Sequence, residues 1–393
     1  MFHIFDKVYC KKQNISPILR FANCLMTVRA KSKAISYRRR KISLCSVHSL
    51  IKIQLFSGEN SMSQIRVVVA GYGNVGRGVI AALKNNPDMI LAGIVSRNPD
   101  RVKKTVSGIP VMQIADADQW IAELRPDVAI LCGGSKDDLP VQGPALCAKV
   151  CTVDSFDNHS RIPEYFKTMD SAANAAGKVA VISTGWDPGI FSLERTLGNA
   201  FLPGSRAYGF YGLGESGGLS MGHSDALRTI PGVKDARQYT HAVTGSIEKV
   251  RRGENPDFTA GDMHTRECFV VLEDGADPEK VAETIRTMPG YFAPYKTEIN
   301  FVSQEYLNEK CAGFPHDGLV VAAGVTGSGN PARVEYRCQW GSNPEATANV
   351  MVAHARAAVR LAREGRSGAF TILDIPASYF STASKEELLA KFM

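Results

Sequence analysis

Apolar positions along this chain come in short blocks broken by polar, glycine-containing loops. Residues 65–70, IRVVVA, form a continuous β-branched run that leads through GYG into a helical stretch ending near Lys84. A second apolar run, MILAGIV at 89–95, follows at the spacing of a βαβ unit. The blocks GIPVMQ (108–113), DVAILC (127–132), KVCTVDSF (149–156) and KVAVIST (178–184) then alternate with helical segments. That alternation predicts an α/β fold built on a doubly wound parallel sheet, with ligands gathered at the carboxyl ends of the strands.

From about residue 205 the loops lengthen. Strands are predicted at RECFVVLE (266–273), EINFVS (298–303), GLVVAAGVT (318–326) and ARVEYRCQW (332–340), and a helix opens on Asp277, Pro278 and Glu279 and runs to about Met288. This pattern predicts a second, α+β domain on a mostly antiparallel sheet. A last helix starts at SNPEATANV, where Asn343 can cap and Pro344 suits the first turn, and stops near Gly365. The expected division is a basic extension (1–61), a nucleotide-binding domain (62–190), an α+β substrate and dimerisation domain (191–340) and a C-terminal helical segment (341–393) packing back on the first domain. No internal repeat is present.

The first strand runs into Gly71-x-Gly73-x-x-Gly76. In a dinucleotide-binding loop the first glycine permits the tight turn, the second lets backbone approach a pyrophosphate, and the third lets helix and strand pack closely. Its position between strand and helix makes a Rossmann-type fingerprint, with Tyr72, Asn74 and Val75 as further expected contacts. At the tip of the second strand an acid would accept from a ribose 2′-hydroxyl, but this chain has Ser96 and Arg97. These can hydrogen-bond and neutralise a 2′-phosphate, so NADP is expected over NAD.

Composition narrows the function class. The 393 residues are 44% hydrophobic and 22% charged, as in ordinary globular proteins. The net charge of +7 is concentrated in residues 1–61, which hold twelve Lys and Arg against two acids; the remainder carries −3 and gives no footprint for nucleic acid. The extension shows no periodicity and no apolar run long enough for a bilayer. It is expected to be a tail outside the fold, with Met62 as the natural start; an organelle transit peptide is the second reading. Nine scattered cysteines without a CxxC pair, and histidines without HExxH spacing, predict neither disulfide framework nor metal site. A reducing compartment, the cytoplasm, is the expected location.

Three loops at strand ends are placed to meet the cofactor: Cys132, Gly133, Gly134 and Ser135; then Ser155, Phe156 and Asp157; then Ser183, Thr184 and Gly185. Cys132 has glycines rather than a base beside it, so it is read as a small residue near the cofactor and not as a nucleophile. Asp157 and Asp187 stand at neighbouring strand ends, where paired carboxylates can bind an ammonium, although Asp187 in STGWDPG equally suits a cap for the helix that follows. Arg266 can grip a carboxylate, yet a lone arginine on a strand is usually a surface residue.

The segments GYGNVGRG, CGGSKDDLPVQGP, TVDSFDNHSRIPEYF, STGWDPGIFSLERTLG, GHSDALRTIPGVKDARQYT, HTRECFVVLEDGADPEKV, IRTMPGYF and SGAFTILDIP, in this order, closely resemble the meso-diaminopimelate dehydrogenase family from about residue 63 to the C-terminus. The resemblance implies reversible NADP-dependent oxidative deamination of the D-centre of meso-2,6-diaminopimelate to L-2-amino-6-oxopimelate and ammonia, in lysine and peptidoglycan biosynthesis, by a homodimer. It places the D-centre ammonium near Asp157 and Asp187, with Asp187 or a water it positions as proton acceptor. It places the distal L-centre with Thr240, Arg266, His316 and Asn343, and makes Trp186, Tyr211 and Met221 further substrate contacts. Two departures stand out. Tyr211 replaces a tryptophan common in the family, with extra residues in 212–220, and Met221 replaces a common glutamine. Both bear on substrate strictness, so a relaxed D-amino-acid dehydrogenase is the second reading; an NADP sensor without catalysis is the non-enzyme alternative, disfavoured by the presence of both aspartates.

Overall fold

The computed structural model describes residues 64–393; the expectations for the basic extension and for Met62 as a start lie outside the described residues. The strands are β1 (Ile65–Ala70), β2 (Met89–Ser96), β3 (Val111–Gln113), β4 (Val128–Leu131), β5 (Cys151–Asp154), β6 (Val179–Val181), β7 (Ala207–Tyr211), β8 (Gly218–Leu219), β9 (Val233–Ala242), β10 (His264–Leu272), β11 (Thr297–Phe301), β12 (His316–Val325), β13 (Pro331–Trp340) and β14 (Gly368–Phe370). Seven of them form one sheet in the order β14-β6-β5-β4-β1-β2-β3, every pairing parallel. The doubly wound parallel sheet expected from the alternating blocks is present.

Both faces of that sheet are covered, which is why its strands read as unbroken apolar runs. Val67 and Val69 of β1 face a cluster that includes Val79 of the helix Asn74–Leu83 and Met351, Val352 and Ala355 of the helix Asn343–Arg363. Val68 and Ala70, alternating with them, face Trp120, Leu139, Tyr165 and Met169. The helix Asn343–Arg363 lies against Asn74–Leu83 so closely that a Cβ on Gly78 would come 2.9 Å from that of Ala348. Arg356, almost wholly buried on this helix, makes a two-pronged pair with Asp88 at 2.6 and 2.8 Å. The chain then adds β14 to the edge of the sheet beside β6.

The remaining strands make two smaller sheets, β11-β10-β9-β8 and β13-β12-β7. All their pairings are antiparallel except β10 with β11. β9 escapes the sequence pattern because Lys234, Asp235 and Arg237 interrupt its apolar positions. Pairing of β9 with β10 sets Thr240 directly opposite Arg266. No helix among the described residues is long and apolar enough to cross a membrane.

Candidate active site

The glycine loop does what its spacing requires. Gly71 has φ +106°, in the region that favours glycine, and a Cβ on Gly76 would come 2.2 Å from the Gly71 carbonyl oxygen. A Cβ on Gly73 would meet nothing within 4 Å, so space lies open in front of the amino end of the helix Asn74–Leu83, which carries no side-chain cap. Unpaired amides and an empty approach are the requirements of an anion site. Asn74 is tied to this turn by a bond from Arg77 Nη2 at 2.6 Å, and Val75 packs toward the core.

A cleft of about 460 Å³ opens there, lined by Gly71, Tyr72, Gly73, Ser96, Arg97, Cys132, Gly133 and Gly134 among the expected residues. It also holds Arg77, Asn98, Arg101 and Asp138, which sequence reasoning missed. Ser96 Oγ accepts from the Asn98 amide at 3.1 Å, and Arg97 Nη1 donates to Asp138 Oδ1 at 2.9 Å. Arg77, Arg97 and Arg101 put three guanidinium groups on one cleft, a donor set that fits a phosphorylated ribose better than a bare diol. Burial pushes the Cys132 thiol up to about 12, so the sulfur stays protonated and is no nucleophile.

The other strand-end loops are tied together from below. Asp154, fully buried at the end of β5, accepts from the Phe156 amide (3.0 Å), the Ser183 amide (3.2 Å) and the Tyr165 hydroxyl (2.9 Å). Desolvation raises it to about 6 against the lowering effect of those donors. Thr184 also bonds back to the Asp154 carbonyl. Ser135 Oγ accepts from the Asp157 amide at 3.0 Å, joining the β4 and β5 loops. The Asp157 residue is exposed and Ser155 half-buried. The Phe156 ring does not reach toward a cofactor; it is buried and stacked on Tyr165, so only its backbone is free for that role. Ser183 has φ +56° and a buried hydroxyl with no partner. An unpaired buried donor beside Thr184 and Gly185 is again what a polar ligand would complete.

Next along the chain, Asp187 does not cap a helix. Gly189 occupies the cap of Ile190–Phe201, and the Asp187 carboxylate instead accepts from Arg195 at 2.5 Å and from the Tyr211 hydroxyl. Asn343 does not cap either: Ser342 holds that position, and Asn343 is turned inward, accepting from Trp186 Nε1 at 2.9 Å and donating to the Leu219 carbonyl at 3.2 Å. Trp186 lies edge-on to Phe191, Tyr211 and His316 at centroid distances of 5.2, 5.8 and 4.6 Å. Met221 opens the helix Met221–Arg228 and packs beside Leu219 and Tyr239.

Arg266 is no surface residue. It is buried, donates Nη1 to Thr240 Oγ1 and stacks on Tyr295 with the guanidinium carbon 4.0 Å from the ring centre. Its Nε has no partner, and among the described residues it forms no ion pair. Around it stand three histidines, of which sequence reasoning named His316. Burial first, and then the Arg266 charge, holds His223 and His264 down to about 3. Burial holds His316 at about 4, against its own hydrogen bond with the Asp317 carbonyl. The imidazoles are therefore neutral near pH 7, and Arg266 is left as a buried cation without an anion.

Residues 185–342 match the model of the diaminopimelic acid dehydrogenase C-terminal domain. Over 327 residues the chain is 47% identical to meso-diaminopimelate D-dehydrogenase of Ureibacillus thermosphaericus, covering 83% of this chain and 98% of that protein. The chain belongs to the meso-diaminopimelate D-dehydrogenase family. In structure it is similar to the Corynebacterium glutamicum diaminopimelate dehydrogenase in complex with diaminopimelate, at 43% identity and TM-score 0.79, covering 84% of this chain and all of that one. It is also similar to an engineered D-amino acid dehydrogenase bound to NADP+, at 42% identity and TM-score 0.76 with the same coverage. The signals missed in this family member were short ones: Arg101 five residues beyond Ser96, and Arg195 two turns beyond Asp187, are visible only once a turn has been folded.

Proposed function

We propose that this chain catalyses the reversible NADP-dependent oxidative deamination of the D-centre of meso-2,6-diaminopimelate to L-2-amino-6-oxopimelate and ammonia. The observation that carries the substrate assignment is Arg266: a buried guanidinium that forms no ion pair among the described residues and leaves its Nε without a partner is costly unless a ligand carboxylate completes it. Family membership over almost the full length of the relatives supports the same reading.

NADP, when bound, supplies the hydride acceptor. The glycine loop and the amides behind Gly73 hold the pyrophosphate, and Ser96 and Arg97, with Arg77 and Arg101, hold the 2′-phosphate. Asp157 and Asp187 receive the D-centre ammonium, whose proton passes to Asp187 or a water it positions before the C–H bond breaks. Water then adds to the resulting imine carbon, and ammonia leaves. Arg266 and Thr240 hold the distal carboxylate, with His316 and Asn343 completing that end, Tyr211 and Met221 on the side of the D-centre, and Trp186 in the wall between. Binding at the distal end selects which stereocentre reaches the reacting position. We place the enzyme in the cytoplasm as a homodimer, a state that light scattering of the pure protein tests.

The test is NADP reduction at 340 nm by purified protein. Meso-diaminopimelate should be oxidised with a kcat/KM well above that for D-alanine or the LL isomer. Comparable rates with D-amino acids lacking a distal carboxylate would instead favour the relaxed-specificity reading that Tyr211 and Met221 raise.

A further inference from the structure

Asp187 is held from two sides. The Tyr211 hydroxyl donates to Oδ2, Arg195 Nη2 donates to Oδ1 at 2.5 Å, and Arg195 Nη1 donates to the Tyr211 oxygen at 3.2 Å. The three side chains close a ring across the loop after β6, the helix Ile190–Phe201 and β7. Gly209 leaves the room for it: a Cβ there would come 2.7 Å from Arg195 Nη1 and 3.0 Å from the Tyr211 hydroxyl. Tyr211 is itself packed in place. Its ring stacks on His264 at 5.2 Å, and its amide donates to His264 Nε2 at 3.0 Å.

We infer that Arg195 and Tyr211 are positioning residues for the deamination, locking the Asp187 carboxylate in the one orientation that receives the D-centre ammonium. The inference rests on the function proposed above. A carboxylate bound through one oxygen still pivots; bound through both, by donors on two different elements, it does not. Each oxygen keeps a second lone-pair direction, so the anchored group can still accept from an ammonium. Arg195 also supplies the positive charge that a mostly buried acid needs while the cleft is empty of substrate. The gain is in geometry, where a misplacement of about 1 Å can cost roughly a hundredfold in rate. A tryptophan at position 211 has no hydroxyl to offer Asp187, so this arrangement is particular to the tyrosine.

The experiment compares Tyr211→Phe, Arg195→Lys and Arg195→Met, alone and combined with Asp187→Asn. Tyr211→Phe should lower kcat with meso-diaminopimelate about tenfold and leave the KM for NADP and the melting temperature unchanged. Arg195→Met should cost at least as much, and Arg195→Lys, which restores one charged donor, should recover part of the loss. In the Asp187→Asn background Tyr211→Phe should cost less than twofold more, because it acts only through the carboxylate already removed. Calorimetric binding of meso-diaminopimelate to the NADPH-loaded enzyme, which cannot turn over, should weaken severalfold in Tyr211→Phe. Wild-type kcat and binding in Tyr211→Phe, or losses that multiply in the Asp187→Asn background, overturn the inference while the proposed function stands. A wild-type protein that neither binds nor oxidises meso-diaminopimelate overturns both.

Discussion

Arg97 reaches across the mouth of the cleft in front of the glycine loop to Asp138, its Nη1 donating to Oδ1 at 2.9 Å, while Asp138 Oδ2 accepts from the Gly134 amide at 3.0 Å. The cation at the tip of β2 is thus already aimed over the cleft, held by an acid from the loop after β4. The arginine is largely exposed, with 74% of its side chain accessible, so the pair is weak on its own and a phosphate can compete for it.

Arg97→Ala should therefore raise the KM for NADP roughly ten- to hundredfold, the range expected for one charge-assisted contact of about 1.5 to 3 kcal/mol, and leave NAD use little changed. Steady-state kinetics with both cofactors decides it. Equal losses with NADP and NAD would remove Arg97 from the 2′-phosphate site.

Arg266→Met should act on binding. It removes the buried cation while keeping the length of the stem that packs on Tyr295. The KM for meso-diaminopimelate should rise by about a hundredfold or more, in line with the cost of leaving one partner of a buried charge pair unmatched, and the ratio of rates should shift toward D-amino acids without a distal carboxylate. An unchanged substrate profile would place the distal carboxylate elsewhere.

Asp187→Asn is expected to fall mainly on turnover. The amide keeps the shape but presents a donor to either Arg195 or Tyr211 and brings no negative charge to an ammonium. A drop in kcat of about a hundredfold, with NADP affinity retained, is the predicted result. Full activity would contradict the assignment.

Asp154 gives a pH-dependent stability. In the folded chain desolvation raises it to about 6, above the ordinary 3.8 of an unfolded aspartate. Between those values the folded state holds a proton that the unfolded state has lost, so folding is favoured at the acid end and the advantage disappears as pH rises through about 6. Asp154→Asn keeps an acceptor for the Phe156 and Ser183 amides and removes the charge. Relative to that variant the wild type should lose on the order of 2 to 3 kcal/mol of stability between about pH 4 and pH 7, measurable by urea unfolding at the two ends. Parallel behaviour of the two proteins would show that Asp154 is not titrating in this window.

Much of this protein was legible in the chain alone, because its signals are local. The β-branched run before Gly71, the glycine spacing through Gly76 and the apolar blocks behind β2, β4, β5 and β6 need only period and turn chemistry to be read, and they determined the parallel sheet and the tight turn that closes its first strand. Ser96 and Arg97, in place of an acid at the tip of β2, raised the expectation of a phosphorylated ribose for the same reason. What only the tertiary structure decided is which polar residues are buried and what they touch. Asn343 and Asp187 look like helix caps in sequence, but packing turns one toward Trp186 and the other toward Arg195 and Tyr211. Arg266 looks like a surface residue until the register of β9 on β10 puts Thr240 opposite it and Tyr295 covers it. β9 and β14 were missed because one is interrupted by charges and the other is three residues long, and each is a strand only through its neighbours. Burial and pairing between distant segments are properties of the folded whole, and no window along the chain carries them.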